Sequence, residues 1–217
     1  MVVSLSLIVI TPEQLESTGP RDLSQRIVQA LTKPDMVDVV GIGTGISGVV
    51  AAVNISRMIA NVNIQSVTLD YIPITVLGKQ EAIFFELNRE EAKTTPVIAK
   101  FEKEGAANQV LQTIWVSRQD RIESVTSLIL WKLSKFDLTK VVASGFAITM
   151  AVKSALQVTT SGITREPVGI SAITIEAIER RAAPEKKVPA IQIYLEKGKE
   201  TVYSPRHKEV VEKVTAR

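Results

Sequence analysis

The sequence predicts an α+β chain of two tandem two-layer units, each a four-stranded mixed sheet with two helices in the order β-α-β-α-β-β. Three observations carry that expectation. Val37 to Ile42, the glycine-rich Gly43-Thr44-Gly45-Ile46-Ser47-Gly48, Val49 to Ala60 and Ile64 to Asp70 read as strand, turn, helix and strand, each with the period of its element. The same segment is echoed about a hundred residues on, where Leu138 to Val152 falls under Met36 to Val50 without a gap. Finally, two strands separated only by Leu77-Gly78-Lys79-Gln80 form an antiparallel hairpin, since a parallel pair would need a crossover of a dozen residues or so.

The echo extends through the unit. Val39-Val40 matches Val141-Val142, Gly43 matches Gly145 and Ile46 matches Ile148; Ile64 to Asp70 matches Ile170 to Glu176, and Ala82 to Leu87 matches Ala190 to Leu195. Taken alone, Gly43-x-Gly45-x-x-Gly48 with Asp70 downstream is a dinucleotide fingerprint. Only one of its three glycines survives in the second copy. The first copy's glycines are therefore expected to serve turns and packing, and a dinucleotide-dependent enzyme is the weaker alternative.

In chain order, Ser4 to Ile10 is a strand, and Thr11 to Gly19 reads as an acidic loop. Pro20 suits a first helical position; Leu23, Ile27 and Leu31 then form one apolar stripe on a helix stopped by Pro34. The glycine segment supplies the second strand and helix, followed by strands from Ile64 to about Val76 and from Ala82 to Leu87. Residues 88 to 112 are charged and aperiodic and read as a linker, with Val97 to Phe101 a short edge strand.

The second unit begins with Ile114-Trp115-Val116 and the short loop Ser117-Arg118-Gln119-Asp120. Asp120 followed by Glu123 resembles a capping box, so a helix is expected there with Ile122, Val125, Ile129, Leu133 and Phe136 on its buried face and Trp131 off that stripe. Lys140 to Ala143, Ala147 to Val158, Val168 to Ile178 and Ala190 to Leu195 complete the repeat, and Arg180 to Lys187 form a longer, basic hairpin arm. In the tail, Ser204 is the expected N-cap of a short helix with Pro205 at its first position, supported by pairs Lys208–Glu212 and Glu209–Lys213. The expected organisation is a first unit over 1–90, a linker over 91–110, a second unit over 111–198 and a helical tail over 199–217.

Composition narrows the function. The 217 residues are 45% hydrophobic with no cysteine, so neither disulfides nor thiolate chemistry arise. No apolar run reaches the 18 or so residues of a membrane span, and Met1 to Ile10 lacks the basic region and cleavage site of a signal peptide, so a cytoplasmic protein without membrane association is expected. The net charge of +3 is uneven: residues 1–107 carry 9 Lys/Arg against 12 Asp/Glu, residues 108–217 carry 17 against 11. A basic half points to an anionic partner. The single histidine, His207, falls on the tail's exposed start without a second ligand at metal-site spacing. No catalytic residue, metal ligand or cofactor-binding residue is expected.

The element order and several segments resemble the Alba superfamily, small basic nucleic-acid-binding proteins best known from archaea. There, a Gly-Lys-Lys-Pro loop opens the first helix, and Ala-Arg-Gly-Arg-Ala-Ile-Ser-Lys-Ala-Val opens the second. Ser117-Arg118-Gln119-Asp120 matches the first motif and Ala143-Ser144-Gly145-Phe146-Ala147-Ile148-Thr149-Met150-Ala151-Val152 the second, sharing Gly-x-Ala-Ile. Arg118 keeps the charge of the first family lysine, Gln119 replaces the second, and Phe146 and Met150 replace basic residues. In the first unit the lysine loop is acidic, Thr44 and Gly48 occupy basic positions, and the hairpin keeps only Lys79.

The resemblance implies an intramolecular pseudo-dimer that binds DNA or RNA through phosphates, with little sequence specificity, on its second unit. The expected binding set is Arg118, Gln119 and Arg121 beside the helix, with Arg180, Arg181, Lys186 and Lys187 on the arm. A scaffold contacting a protein partner or further copies of itself is the rival expectation.

Overall fold

A computed structural model describes residues 6–32, 36–74, 78–89, 112–180 and 183–216. The chain divides into two compact units, Met1–Glu91 together with Tyr203–Arg217, and Ala92–Val202. The first contains β1 (Ser6–Ile10), α1 (Pro12–Ser17), α2 (Pro20–Ala30), β2 (Val37–Ile42), α3 (Gly45–Ala60), β3 (Asn63–Ile74) and β4 (Gly78–Asn88). The second contains β5 (Gln112–Val116), α4 (Ile122–Lys135), β6 (Leu138–Ser144), α5 (Ala147–Thr160), β7 (Val168–Arg180) and β8 (Ala183–Lys197); the last helix, α6 (His207–Thr215), belongs to the first unit. The expected linker and edge strand over 91–110 lie outside the described residues.

The sheets have one topology, β1-β2-β4-β3 and β5-β6-β8-β7. Each pairs its first two strands in parallel and the rest antiparallel. The duplication holds at the level of register. Val39 lies opposite Phe85, as Val141 lies opposite Ile193. A bulge interrupts β3 between Ile64 and Ser66 and β7 between Ile170 and Ala172, at matching positions. Because one extra residue reverses the facing of all that follow, both copies must carry the bulge to keep equivalent buried faces. The turn glycines match too: Gly43 and Gly145 have φ of +55° and +56°, a left-handed conformation that strains other residues.

In the first unit, β2 alternates between two apolar environments. A Cβ on Gly41 would meet the Val49 side chain of α3 at 2.9 Å, which places Gly41, Val39 and Val37 on the helix-facing side. On the other side, Val40, Ile42, Ile72, Ala82 and Phe84 form a cluster with Val210 and Val214 of α6. At roughly 1.5–3 kcal/mol per buried apolar side chain, α6 is an integral third layer rather than an appendage.

Several local expectations change. Thr11 to Gly19 is not a loop: α1 forms there, with the Thr11 hydroxyl accepting from Gln14 N–H and Gln14 Oε1 accepting from Thr11 N–H, a complete capping box behind Pro12. Asp120 does not cap α4, because its carboxylate turns back to accept from Ser117 N–H at 2.7 Å; Arg121 is the N-cap residue without a side-chain cap. On α4, Val125, Ile129 and Leu133 are buried as expected, whereas Ile122 and Phe136 at its ends are half-buried. The helix α6 starts three residues past the expected cap because Ser204 Oγ donates to Glu86 instead.

His207 departs most from expectation. It is buried, 8% exposed, with its ring 4.5 Å from the Phe84 ring and 4.6 Å from that of Tyr203. Its Nε2 donates to Asp70 Oδ2 at 2.9 Å, and Nδ1 lies 3.1 Å from Thr68 Oγ1. Next to it, Arg206 Nη2 donates to Asp38 Oδ2 at 2.7 Å. Asp38 and Glu86 are direct cross-strand partners, a like-charge placement that is unfavourable alone. Arg206 and Ser204 offset it from above. Burial, opposed by Arg206 and reinforced by Glu86, still pushes the Asp38 carboxyl up to about 6.

Candidate nucleic-acid interface

In the second unit, three features project from one end of the sheet. β5 and β6 run in parallel and end at Val116 and Ser144, so the loop Ser117 to Arg121 and the Gly145-Phe146 turn are neighbours there. Ser144 pairs with Ala190, and β8 runs antiparallel to β6, so the β7–β8 ribbon from Ala183 to Pro189 continues past the same end. At ~3.3 Å per residue it reaches about 23 Å beyond. The basic arm expected as a loop is therefore largely two-stranded, with Lys187 opposite Glu179 and Arg180 opposite Ala183.

Arg118, Gln119, Arg121 and Lys187 are exposed. Arg181 and the side chains of Arg180 and Lys186 lie outside the described residues. The arrangement brings the 117–121 loop, the glycine turn and the base of the ribbon together. It also adds Phe146, which sequence comparison marked only as a lost cation. Phe146 is 79% exposed at the N-cap of α5, with the Arg118 guanidinium 5.5 Å from its ring centroid. The signal in the sequence was an aromatic side chain directly after a turn glycine.

The corresponding end of the first unit is built differently. A Cβ on Gly43 would lie 3.7 Å from Pro12 of α1 and 3.6 Å from Gln80, whereas one on Gly145 would meet nothing within 4 Å. Thus α1 covers the turn in one copy and the other copy leaves it bare. Thr44 stands in the place of Phe146, and β4 begins at Gly78, so the strand pair reaches only about 13 Å past β2. Charge follows the same division, with 10 Lys/Arg against 12 Asp/Glu in the first unit including its tail, and 16 against 11 in the second.

The dinucleotide fingerprint loses its geometry. Gly45 is a packing residue, since a Cβ there would lie 2.7 Å from the Ile10 carbonyl oxygen. Asp70 sits on β3, separated from β2 by β4, and its carboxylate is engaged by His207 and by Tyr71 N–H. Thr68, His207 and Asp70 form a hydroxyl–imidazole–carboxylate line, but Thr68 is only 5% exposed beneath α6. That line fastens the helix. Among the described residues no group of His, Asp and Glu is arranged to hold a metal ion, and no helix is long and apolar enough to cross a membrane.

Compared with known protein families and with curated proteins, the chain matches none.

Proposed function

We propose that the protein binds nucleic acid, DNA or RNA, through the bare end of its second unit, as a tandem Alba-like chain in which the first unit scaffolds. The reading rests on one observation above the others: exposed Arg118 lies over exposed Phe146 at an uncovered turn, at the sheet end past which a cation-bearing ribbon continues. Arginine forks and lysines aimed at phosphates hold a backbone in place without reading its bases. Exposed Arg118, Arg121 and Lys187 supply charge, to which the sequence adds Arg180, Arg181 and Lys186, and Gln119 supplies an amide.

The test is a salt titration with duplex DNA, structured RNA and single strands. If four to six phosphates are neutralised, log affinity falls with log salt at a slope of about −3 to −5. Arg118→Glu weakens binding to every sequence alike, and alanine at Arg180, Arg181, Lys186 and Lys187 together flattens the slope. Absence of binding to any of these at low salt defeats the proposal.

A second reading, a face for a protein partner or another copy, is favoured by α4, whose Leu128 and Trp131 are 42% and 48% exposed with Lys135 Nζ 4.1 Å from the Trp131 ring. Sedimentation of the Trp131→Asp variant tests it, since loss of a dimer or larger species is expected only if that face associates.

A further inference from the structure

We infer that the site takes an unpaired base, stacked on Phe146, so that the preferred ligand is a single-stranded stretch of nucleic acid rather than a duplex. This rests on the nucleic-acid reading above and adds to it a ligand class and the residue that sets it.

Phe146 is an apolar side chain held in water. Phe146 leaves 79% of its surface in water, the most exposed of the large hydrophobic residues described. Neither the core of the unit nor the end of the helix uses it. A Cβ on the neighbouring Gly145 would have no atom within 4 Å, so the space around the turn is open rather than awaiting a local packing partner. The Arg118 guanidinium, at 5.5 Å from the centroid, takes one side of the ring. With 79% of the residue exposed, the ring keeps surface for a planar group.

Duplex ends aside, both faces of every base in a double helix are already stacked, so a lone exposed ring gains nothing from a duplex without forcing a base step apart. A single strand offers π-faces at every nucleotide, and its phosphates can follow the cations beside the ring. Arg118 serves both parts, as a cation against the ring and as a phosphate partner one nucleotide away. The comparison within the molecule supports the assignment. The equivalent position in the first unit is Thr44, exposed but without a ring, beside a glycine turn that Pro12 and Gln80 cover.

Phe146 also changes the meaning of the lost family cations. Replacing charge by an aromatic at a bare turn exchanges backbone attraction for base stacking. The site then depends less on salt per nucleotide bound than a set of lysines would.

The experiment is fluorescence anisotropy on the full chain, with oligouridylate and oligodeoxythymidylate of about 12 nucleotides and a duplex of mixed sequence, across a salt series. The single strands bind more tightly than the duplex. Phe146→Ala loses roughly 5- to 150-fold in single-strand affinity with an unchanged salt slope, because no phosphate contact is removed. Phe146→Tyr retains binding and Phe146→Leu, which keeps the apolar bulk without a π-face, does not. Thr44→Ala has no effect. Arg118→Gln, by contrast, lowers the salt slope by about 0.7 to 0.9. The two single strands separate a sugar preference from stacking itself. Tighter duplex binding, or a Phe146→Leu variant that binds like the parent, overturns the inference while leaving the nucleic-acid function standing. If no nucleic acid binds at low salt, both fall together.

Discussion

The two units share strand order, register, bulge and turn, and differ in what lies over two places. On the sheet face away from the paired helices, the first unit carries Val40, Ile42, Phe84 and Ile72 under α6. At the matching positions of the second unit stand Val142, Ser144, Gln192 and Ile178, and the face is tied by polar contacts: Gln192 Nε2 donates to Glu176 at 2.8 Å, Tyr194 Oη donates to Gln192 at 3.2 Å, and Lys140 lies 5.8 Å from the Tyr194 ring. At the strand ends the contrast recurs, with α1 over one turn and Phe146 bare at the other. One copy has spent its surfaces on internal packing, and the other keeps cations and an aromatic ring in solvent. A duplicated fold can divide its labour in this way because register depends on the buried pattern, leaving each copy's loops and outer face free to diverge.

If α6 is a structural layer of the first unit, removing residues 203–217 should have the largest effect. Exposing the Phe84 cluster and uncovering Asp38 and Glu86 is expected to cost about 4 to 6 kcal/mol in that unit. Hydrogen exchange read by mass spectrometry should show protection lost across 37–88 and retained across 138–197. Equal loss in both regions would mean that the helix supports more than the unit it packs on.

Arg206→Met, which keeps the aliphatic stem, should cost about 2 to 4 kcal/mol by denaturant melting, because Asp38 is left buried beside Glu86 without its cation. The figure lies below that for a fully enclosed pair because the Arg206 side chain is 23% exposed. The same carboxylate gives a pH signature. Its folded pKa of about 6 lies above the ordinary value of 3.8, so the folded state holds the proton more tightly, and the first unit loses stability as pH rises from about 4 to about 6 and levels off above. The expected change is on the order of 2 to 3 kcal/mol, and Asp38→Asn should abolish it. A profile in the parent that is flat over that window would show that the carboxylate is well solvated.

Gly45→Ala places a methyl against the Ile10 carbonyl oxygen and should cost about 1 to 3 kcal/mol; the second unit already carries Ala147 there. The smallest effect is expected from Lys79→Ala. Its hairpin is short and lies on the acidic unit, so single-strand affinity should stay within roughly twofold of the parent. A larger fall would place phosphate contacts on both units.

Much of this architecture is legible in the sequence because it depends on local periods. The β-branched runs, the Leu23-Ile27-Leu31 stripe and its counterpart Val125-Ile129-Leu133, and the echoed glycine turn each impose a buried face within a few residues. The duplication then reveals itself as two equal solutions to one packing problem. The candidate site was partly legible for the same reason, since Arg118, Gln119 and Arg121 sit in a loop whose neighbours fix its place.

What the tertiary structure decided are the contacts between residues far apart in the chain. Asp38 and Arg206 are 168 positions apart, and Asp70 and His207 are 137 apart; no local pattern announces such pairs. A histidine at the start of a tail reads as solvated until a third layer is laid over the sheet. Phe146 poses the opposite case. In the sequence it reads only as the loss of a family cation, and the fold alone leaves it 79% exposed beside Arg118. Periodicity dictates which face of an element is buried, but whether a given end or outer face meets solvent, a helix or a ligand depends on where the rest of the chain goes, and that is a property of the whole fold.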